Sequence, residues 1–306
     1  MPELPEVETI VRGLRKKIIG RRVTGVWFDV PRMIKTSPAQ LRRGIKGLTI
    51  ADVRRRGKYI LVELTNDQPL NKTQGERPTT DNFILLIHQK MSGHLLYGKW
   101  RMKKVGGMYQ VSSDIKGRLA ERNNSYIHFI LHLNNGRQVG LSDVRKFGTI
   151  RFGSKDKIEN MAEFSGLGPE PMGKEFTASF LKSLLRGRRP IKAVLMDQGV
   201  LSGLGNLYSS EALFAARIDP RRPPDSLTKR EIKRLAASIK LVLGRGIRYG
   251  GASIMNFRNA DGRPGRYAGY RLVYGKNGEP CGRCAKPIEK VRIGQRTAHY
   301  CSGCQR

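Results

Sequence analysis

Hydrophobic side chains follow two different spacings along this chain of 306 residues. After Pro5 they recur every three or four positions, which predicts an amphipathic helix with one buried face. The positions on this face are Val7, Ile10, Val11, Leu14 and Ile18. Between residues 20 and 155, short runs are apolar or alternate with polar residues, and this pattern predicts β-strands. Such runs occupy positions 59–64, 82–88, 126–133 and 137–142.

Turn signals and a second helical region complete the pattern. Asn135-Gly136 predicts a hairpin turn between the last two strands, and helical spacing returns after residue 175. It covers positions 176–187, 190–201, 209–218 and 228–250. Gly203 and Gly205 predict a tight turn before Asn206, where a helix begins, and free N–H groups at a helix start can bind phosphate. The order of strands and then helices indicates an α+β chain of about two domains.

Three segments lack regular spacing. Positions 65–82 and 99–125 are rich in Lys, Arg, Asn and Gly, and we expect both to be surface loops. Positions 156–175 contain LGPEPMG and are expected to be a linker.

The charge balance narrows the class of partner. The chain has 58 Lys and Arg against 25 Asp and Glu, a formal charge of +33, and its pI is about 10.6. Such a surface favours a nucleic acid, because each neutralised phosphate releases counterions. There are two alternatives to nucleic-acid binding: the basic residues are only solvated, or they bind a membrane surface. No run approaches the ~18 apolar residues of a membrane span. The N-terminus does not resemble a signal peptide, so we expect a cytoplasmic protein without a membrane partner.

The cysteines predict a metal site. Cys281 and Cys284 form one CxxC motif, Cys301 and Cys304 form another, and sixteen residues separate them. Two such pairs can close a tetrahedral thiolate site around zinc. Four thiolates leave no open position, so this zinc is expected to be structural. Two disulfides are the alternative. Arg296 lies at the predicted turn between the pairs, and both a solvated side chain and a phosphate contact are open alternatives for it.

The first six residues, MPELPE, suggest a nucleophile. Removal of Met1 would leave Pro2 with a secondary α-amine, whose pKa of about 7.7–8.0 lies far below that of lysine. The free amine can attack an aldehyde-like sugar carbon and form an iminium. Glu3 and Glu6 lie at the start of the first helix. Proline and glutamate also favour a helix N-terminus for purely structural reasons.

Several motifs together resemble one known family. MPELPEVETIVRGL, QKMSG, SDVRKFG, LSGLGNLYSSEALF and the zinc hairpin occur in the order typical of the formamidopyrimidine-DNA glycosylase/endonuclease VIII family. They are spread over nearly the whole chain, and the set is highly specific. Positions 250–281 resemble the formamidopyrimidine branch, which excises oxidised purines such as 8-oxoguanine and formamidopyrimidines. Within it, positions 250–269 form a glycine-rich loop, and in the family this loop covers the extruded purine.

The resemblance implies catalytic roles. Pro2 would be the Schiff-base nucleophile, Glu3 the general acid/base, and Glu6 a supporting carboxylate. Lys58 matches a lysine assigned to phosphate binding and to proton transfer in β-elimination. Arg296 matches an arginine linked to phosphate binding and δ-elimination.

It also implies DNA contacts. Met91, Arg145 and Phe147 match the residues that fill the gap left by an extruded base, a gap that costs a few kcal/mol if it stays empty. Without the family, Met91 and Phe147 would be read as core residues and Arg145 as a surface charge. Asn206 matches an asparagine that holds phosphate beside the damaged nucleotide.

Three further positions bear on DNA contact. Lys192, in a basic run with Arg186, Arg188 and Arg189, is expected to face a phosphate, although such residues are more often solvated. Tyr126 stands where the family often has a DNA-contacting histidine, so His128 is interpreted as a strand residue. Asn256 stands where an aspartate is frequent.

The sequence therefore predicts a DNA repair enzyme with an N-terminal β-sandwich and a C-terminal helix–two-turn–helix domain that ends in a four-cysteine zinc hairpin. The predicted parts are 1–155, a linker at 156–175, a helical domain at 176–270 and the zinc hairpin at 271–306. We expect a bifunctional glycosylase/AP lyase, monomeric in the bacterial cytosol. It would need one zinc ion and bind damaged duplex DNA in the cleft between its domains. The alternatives are an endonuclease VIII-like glycosylase for oxidised pyrimidines, a non-catalytic zinc-ribbon protein that binds damaged DNA, and an RNA- or ribosome-binding zinc protein.

Overall fold

A computed structural model describes residues 1–66, 82–114 and 116–306. The predicted loop at 65–82 therefore lies almost wholly outside the described residues. The chain divides into two compact units. The first comprises residues 1–2, 6–165 and 252–265, and the second comprises residues 3–5, 166–251 and 266–306.

Two four-stranded antiparallel sheets form the body of the first unit, with strand orders β1-β8-β9-β5 and β10-β4-β3-β2. Their strands are β1 (Val23–Phe28), β2 (Thr49–Arg56), β3 (Tyr59–Thr65), β4 (Asn82–His88), β5 (His94–Gly98), β8 (Ile127–Leu133), β9 (Gln138–Ser142) and β10 (Thr149–Ser154). All four predicted strands are present. Asn135-Gly136 joins β8 to β9, and Gly136 has the positive φ of 73° that such a turn requires. The predicted β-sandwich is confirmed.

The core of this unit contains the predicted face of α1 (Leu4–Ile18). Val7, Ile10, Leu14 and Ile18 are fully buried, and they join the apolar side chains of both sheets in one cluster. The short helix α2 (Pro38–Gly44) adds Leu41 to this cluster. Burial of one apolar stripe therefore attaches the N-terminal helix firmly to the sandwich.

The segment 99–125 is more ordered than predicted. It contains a two-stranded hairpin, β6 (Trp100–Val105) and β7 (Met108–Ser113), followed by the 3₁₀ turns Arg118–Ala120 and Arg122–Asn124. The hairpin packs on a small apolar cluster of the unit, to which Trp100 belongs and which Met102 and Val111 contact. Between Trp100 and Met102, and after Met102, β6 has the basic residues Arg101 and Lys103. The prediction of a surface loop was wrong because these basic residues obscured a period of two.

The predicted linker also contains structure. Residues 155–165 form the short helices α3 (Lys155–Glu159) and α4 (Ala162–Ser165). Ile158, Met161 and Phe164 cover the outer face of one sheet, where they contact buried residues of β3 and β4. Their spacing of three residues is a helical signal that the nearby Pro and Gly residues masked.

Helices dominate the second unit. They are α5 (Ala178–Leu184), α6 (Ile191–Met196), α7 (Asn206–Ala216) and α8 (Lys229–Arg248). Helices α5, α6 and α8 lie within segments of predicted helical spacing. Helix α7 overlaps the predicted segment 209–218 and begins at Asn206, where a helix start was predicted. A reciprocal capping box fixes the start of α8, because Thr228 accepts from the Glu231 N–H and Glu231 accepts from the Thr228 N–H.

The C-terminal hairpin completes this unit. Strands β11 (Glu289–Ile293) and β12 (Arg296–Tyr300) pair in antiparallel fashion around the turn Gly294-Gln295. The predicted hairpin and its turn are confirmed. None of the helices formed by the described residues combines the length and the hydropathy that a membrane crossing needs.

Candidate active site

The carboxylate of Glu3 lies on the N-terminus of α7. Oε2 accepts hydrogen bonds from the N–H groups of Gly205 at 2.7 Å and Tyr208 at 3.3 Å, and Oε1 accepts from Leu207 at 2.8 Å. Gly205 is required here, because a Cβ at this position would lie 2.5 Å from the Glu3 Cδ. Glu3 is buried, and three donors together with the positive end of the helix dipole hold its carboxylate in one orientation.

This arrangement corrects one expectation. The N–H groups at the start of α7 were predicted to bind phosphate, but Glu3 already occupies three of the donors around this helix start. The side chain of Asn206 is still a candidate for a phosphate contact. Its Nδ2 lies 3.5 Å from the Tyr274 hydroxyl, and its Oδ1 has no hydrogen-bond partner among the described residues.

Lys192 is buried and does not reach the surface, where a phosphate could bind. It is only 1% exposed, and its Nζ donates to Asn206 O at 3.0 Å, Ser209 Oγ at 3.0 Å and Ser210 Oγ at 2.8 Å. All three ammonium donors are therefore used inside the unit. Burial lowers the pKa of Lys192 to about 7, although the nearby carboxylates of Glu3 and Glu211 oppose the shift. The predicted phosphate contact was wrong, and Lys192 instead ties the first turn of α7 to α6.

Glu211 is a second buried carboxylate that sequence reasoning missed. It lies on α7, fully buried, and accepts from the N–H groups of Leu272, Val273 and Tyr274 at 2.7 to 3.0 Å. Burial raises its pKa, although these three hydrogen bonds oppose the shift. Glu211 thus connects the helix that carries the Glu3 site to the segment that leads into the zinc hairpin.

Pro2 and Glu6 are both buried in the first unit, and Met1 before them is exposed. Glu6 Oε1 accepts from the Ala252 N–H at 2.7 Å, so this carboxylate fixes the start of the glycine-rich segment 252–265. This contact is consistent with the predicted role of Glu6 as a supporting carboxylate.

Lys58 lies in the tight turn between β2 and β3, beside Gly57, which has a positive φ of 55°. Lys58 is largely buried. Burial, assisted by the charges of Lys90 and Lys58, lowers the pKa of His88 to about 3. Lys58 therefore places its positive charge close to the end of β4, just before the segment that carries Met91.

Met91, Arg145 and Phe147 lie on two neighbouring loops. Met91 is half-buried, and Phe147 is 47% exposed with the Arg145 guanidinium 4.6 Å from its ring centre. An exposed aromatic ring covered by a guanidinium is unusual for a core residue. This geometry argues against the alternative that Phe147 is an ordinary core residue.

Asp143 joins these two loops, and the sequence reading did not single it out. Its buried carboxylate accepts from the N–H groups of Phe147 at 2.8 Å and Gly148 at 2.7 Å, and from the hydroxyl of Ser92, the residue after Met91. Lys90 and Lys146 have positive φ values of 52° and 56°, one in each loop. Strained backbone held by a buried carboxylate is typical of functional loops.

The four cysteines form one compact cluster. Their Sγ atoms all lie within 4.8 Å of one another, with Cys281 and Cys304 at 3.9 Å and Cys284 and Cys301 at 3.4 Å. Zinc bonds of about 2.3 Å in a tetrahedron place sulfur atoms about 3.8 Å apart, whereas a disulfide needs about 2.05 Å. None of the four cysteines forms a disulfide. The geometry fits one structural zinc ion and excludes two disulfides.

The remaining predicted positions are also located. Arg296 is exposed at the first residue of β12, directly after the turn. Tyr126 is half-buried and its hydroxyl accepts from Arg122 at 3.3 Å, while His128 is a strand residue that bonds Asp29 at 3.0 Å. Asn256 directly follows the exposed residues Ile254 and Met255, and its own side chain is half-buried.

Comparisons with known proteins agree with these features. Residues 1–150 match the formamidopyrimidine-DNA glycosylase N-terminal domain, residues 167–258 match the formamidopyrimidine-DNA glycosylase H2TH domain, and residues 278–306 match a zinc finger found in FPG and IleRS. A formamidopyrimidine-DNA glycosylase of Streptococcus mutans is 34% identical over the full length of both chains.

Solved structures give the same result. The wild-type Lactococcus lactis Fpg in complex with DNA that contains N7-benzyl-Fapy-dG is 33% identical, has a TM-score of 0.81 and covers both chains completely. A complex of the same species' Fpg with abasic-site DNA is 32% identical, has a TM-score of 0.81 and covers 99% of each chain. This chain therefore belongs to the formamidopyrimidine-DNA glycosylase family.

Proposed function

We propose that this chain is a bifunctional DNA glycosylase/AP lyase of base excision repair that removes oxidised purines from duplex DNA. The observation that carries the proposal is the carboxylate of Glu3, which three backbone N–H groups hold in place directly after Pro2. Relatives of this chain are named formamidopyrimidine-DNA glycosylases, and solved relatives contain Fapy-dG derivatives or an abasic site. These names support both halves of the proposed activity.

The proposed reaction begins at the nitrogen of Pro2, once Met1 has been removed. This nitrogen bonds to C1′ of the damaged nucleotide, the glycosidic bond breaks, and the base leaves with the proton that the Pro2 amine gives up. Glu3, as the general acid/base, then delivers a proton to the ring oxygen, the C1′–O4′ bond breaks, and a cationic iminium remains. Loss of a C2′ proton and cleavage of the C3′–O bond then release the 3′ phosphate. A second elimination releases the 5′ phosphate, and water frees the sugar remnant from Pro2.

Charged side chains assist these steps. A carboxylate that only accepts hydrogen bonds from its surroundings is suited to receive a proton and to stabilise the positive charge of the sugar. We assign this role to Glu3. We assign a supporting role to Glu6, whose carboxylate holds the Ala252 N–H. Lys58 binds phosphate and transfers a proton in β-elimination, and Arg296 binds phosphate and assists δ-elimination.

The proposed DNA interface uses the strained loops of the first unit. Met91 and Phe147 fill the space of the extruded base, and Arg145 pairs with the base left on the other strand. Asn206 holds a phosphate, while Lys192 is excluded from this role by its burial. The formal charge of +33 supplies the general attraction to DNA. We place this activity in the bacterial cytosol and expect a monomer with one zinc ion.

The lesion class can be tested directly. Single-turnover reactions on duplexes with 8-oxoguanine opposite cytosine should release the free base and nick the strand. A matched duplex with thymine glycol should react more slowly. Faster release of the pyrimidine would favour the endonuclease VIII-like alternative. Tight binding without release of either base would favour a non-catalytic damage-binding protein.

A further inference from the structure

The segment 252–265, here called the cap loop, has one firmly held half. The carbonyl of Ala260 accepts from the Tyr97 N–H of β5 at 2.8 Å, and Ala260 itself is fully buried. Lys17 of α1 forms an ion pair with Asp261. Phe257 is part of the sandwich core. Residues 257–262 are therefore attached to both a strand and a helix of the first unit.

The tip of the cap loop is open to solvent. Ile254 is 44% exposed and Met255 is 79% exposed, although both side chains are apolar. Exposed apolar side chains at the tip of a loop are well placed to cover a ligand. Glu6 holds Ala252 on one side of this tip, and residues 257–262 are held on the other side, so the position of the tip depends on both attachments.

Asn124 is the buried link between the cap loop and the sandwich. It is 0% exposed, and its Nδ2 donates to Arg118 O at 2.7 Å and to Gly262 O at 3.3 Å. Its Oδ1 lies 3.0 Å from Nε2 of His94 on β5. Because both Nδ2 bonds go to carbonyls, Oδ1 is the acceptor and His94 Nε2 must donate. One amide thus satisfies partners on β5, on a 3₁₀ turn and on the cap loop.

Gly262 is fitted closely onto this link. Its φ is +76°, and a Cβ at this position would lie 2.8 Å from Asn124 Nδ2 and 3.2 Å from Leu119 Cδ2. Asn124 and Leu119 both belong to the turns that follow the β6–β7 hairpin. No step of the proposed reaction uses this segment.

We propose that Asn124 is a positioning residue for excision of the damaged base. By connecting His94 to Gly262 it holds residues 257–262 still, and the exposed tip of the cap loop is thereby placed over the base. This inference rests on the proposed function, and on the resemblance of the cap loop to the family segment that covers the extruded purine. Asn124 itself does not touch the base.

The test uses two variants that weaken the link from opposite sides. Asn124→Asp keeps the size of the side chain and the acceptor for His94 but removes both donors. Gly262→Ala adds a Cβ against Asn124. Ser125→Ala removes a hydrogen bond to Arg122 O in the same turn, and Gly136→Ala has a similar φ of +73° with open space around it. The last two are the matched controls.

Three quantities are measured on the full-length zinc-loaded protein: hydrogen exchange of residues 257–262, single-turnover excision of 8-oxoguanine, and cleavage of a preformed abasic site. Both link variants should exchange faster in 257–262 and excise the base roughly tenfold more slowly or worse, since small displacements in an active site have effects of this size. Cleavage of the abasic site has no base to cover and should stay close to native, as should both controls.

Equal loss of excision and abasic-site cleavage in the link variants would overturn the proposal, as would native exchange in residues 257–262. Failure of the proposed function has a different signature. In that case the native protein itself would release no base and cleave no abasic site.

Discussion

Replacing Glu3 by glutamine is expected to slow base excision by roughly 10²- to 10⁴-fold, the usual contribution of a general acid–base group. The carboxylate accepts from three backbone N–H groups on two oxygens. A glutamine amide has the same shape but offers only one acceptor oxygen, and its NH₂ group would face a backbone donor. The variant therefore loses both the charge and part of the network that orients it. Single-turnover excision of 8-oxoguanine measures the loss.

The same variant should cleave a preformed abasic site much better than it excises a base, because no base has to leave. Glu8→Gln is the matched control, because it makes the same glutamate-to-glutamine change at a position on α1 that has no proposed catalytic role. Glu8 is held by Arg12 and Arg55, and partly exposed ion pairs of this kind have small effects. We expect excision by this control within about threefold of native. Similar losses in the two variants would contradict a specific role for Glu3.

Removal of zinc is expected to unfold the segment 278–306 and to weaken DNA binding strongly. Strands β11 and β12 have five residues each, too short for an isolated hairpin to be stable. The apolar cluster beneath them is small and includes two of the four metal ligands. Binding of a structural zinc contributes about 10–16 kcal/mol in small zinc domains, so most of the local stability depends on the metal. Hydrogen exchange of residues 289–300 and DNA affinity should change together.

Cys304 allows a matched pair of variants, since it is only partly buried. Cys304→Ser removes a ligand and should reproduce the effect of chelation. Cys304→His retains a side chain that can bind zinc, and it should retain more metal, more protection of the hairpin and tighter DNA binding. Native hairpin protection in protein shown to contain no zinc would contradict a structural role for the metal.

Local spacing predicted most of the fold. The α1 face, four of the eight strands in the two sheets, the β8–β9 turn and the zinc hairpin all follow from patterns within short stretches of sequence. The β6–β7 hairpin was missed because lysine and arginine occupy its outward positions, so its composition resembles that of a loop. The helices α3 and α4 were missed because each is about one turn long and lies beside a Pro- and Gly-rich stretch.

The candidate site was less accessible to sequence reasoning. Motifs indicated Glu3, but its partners Gly205, Leu207 and Tyr208 lie about 200 positions away. Lys192 was assigned to the surface because its neighbours in sequence are basic, whereas burial depends on residues of α7 that pack over it. Asp143 and Asn124 organise loops through contacts between distant segments, and no local pattern marks such residues.

The central claim is that the α-amine of Pro2 attacks the damaged nucleotide, and borohydride trapping tests it most directly. Protein whose intact mass shows the loss of Met1 is incubated with a duplex that contains 8-oxoguanine opposite cytosine, in the presence of borohydride. The account predicts a covalent adduct whose DNA fragment maps to the peptide that begins at Pro2, and a sharp loss of adduct in Pro2→Gly. An adduct that maps to a lysine such as Lys58, or no adduct from zinc-loaded native protein, would contradict it.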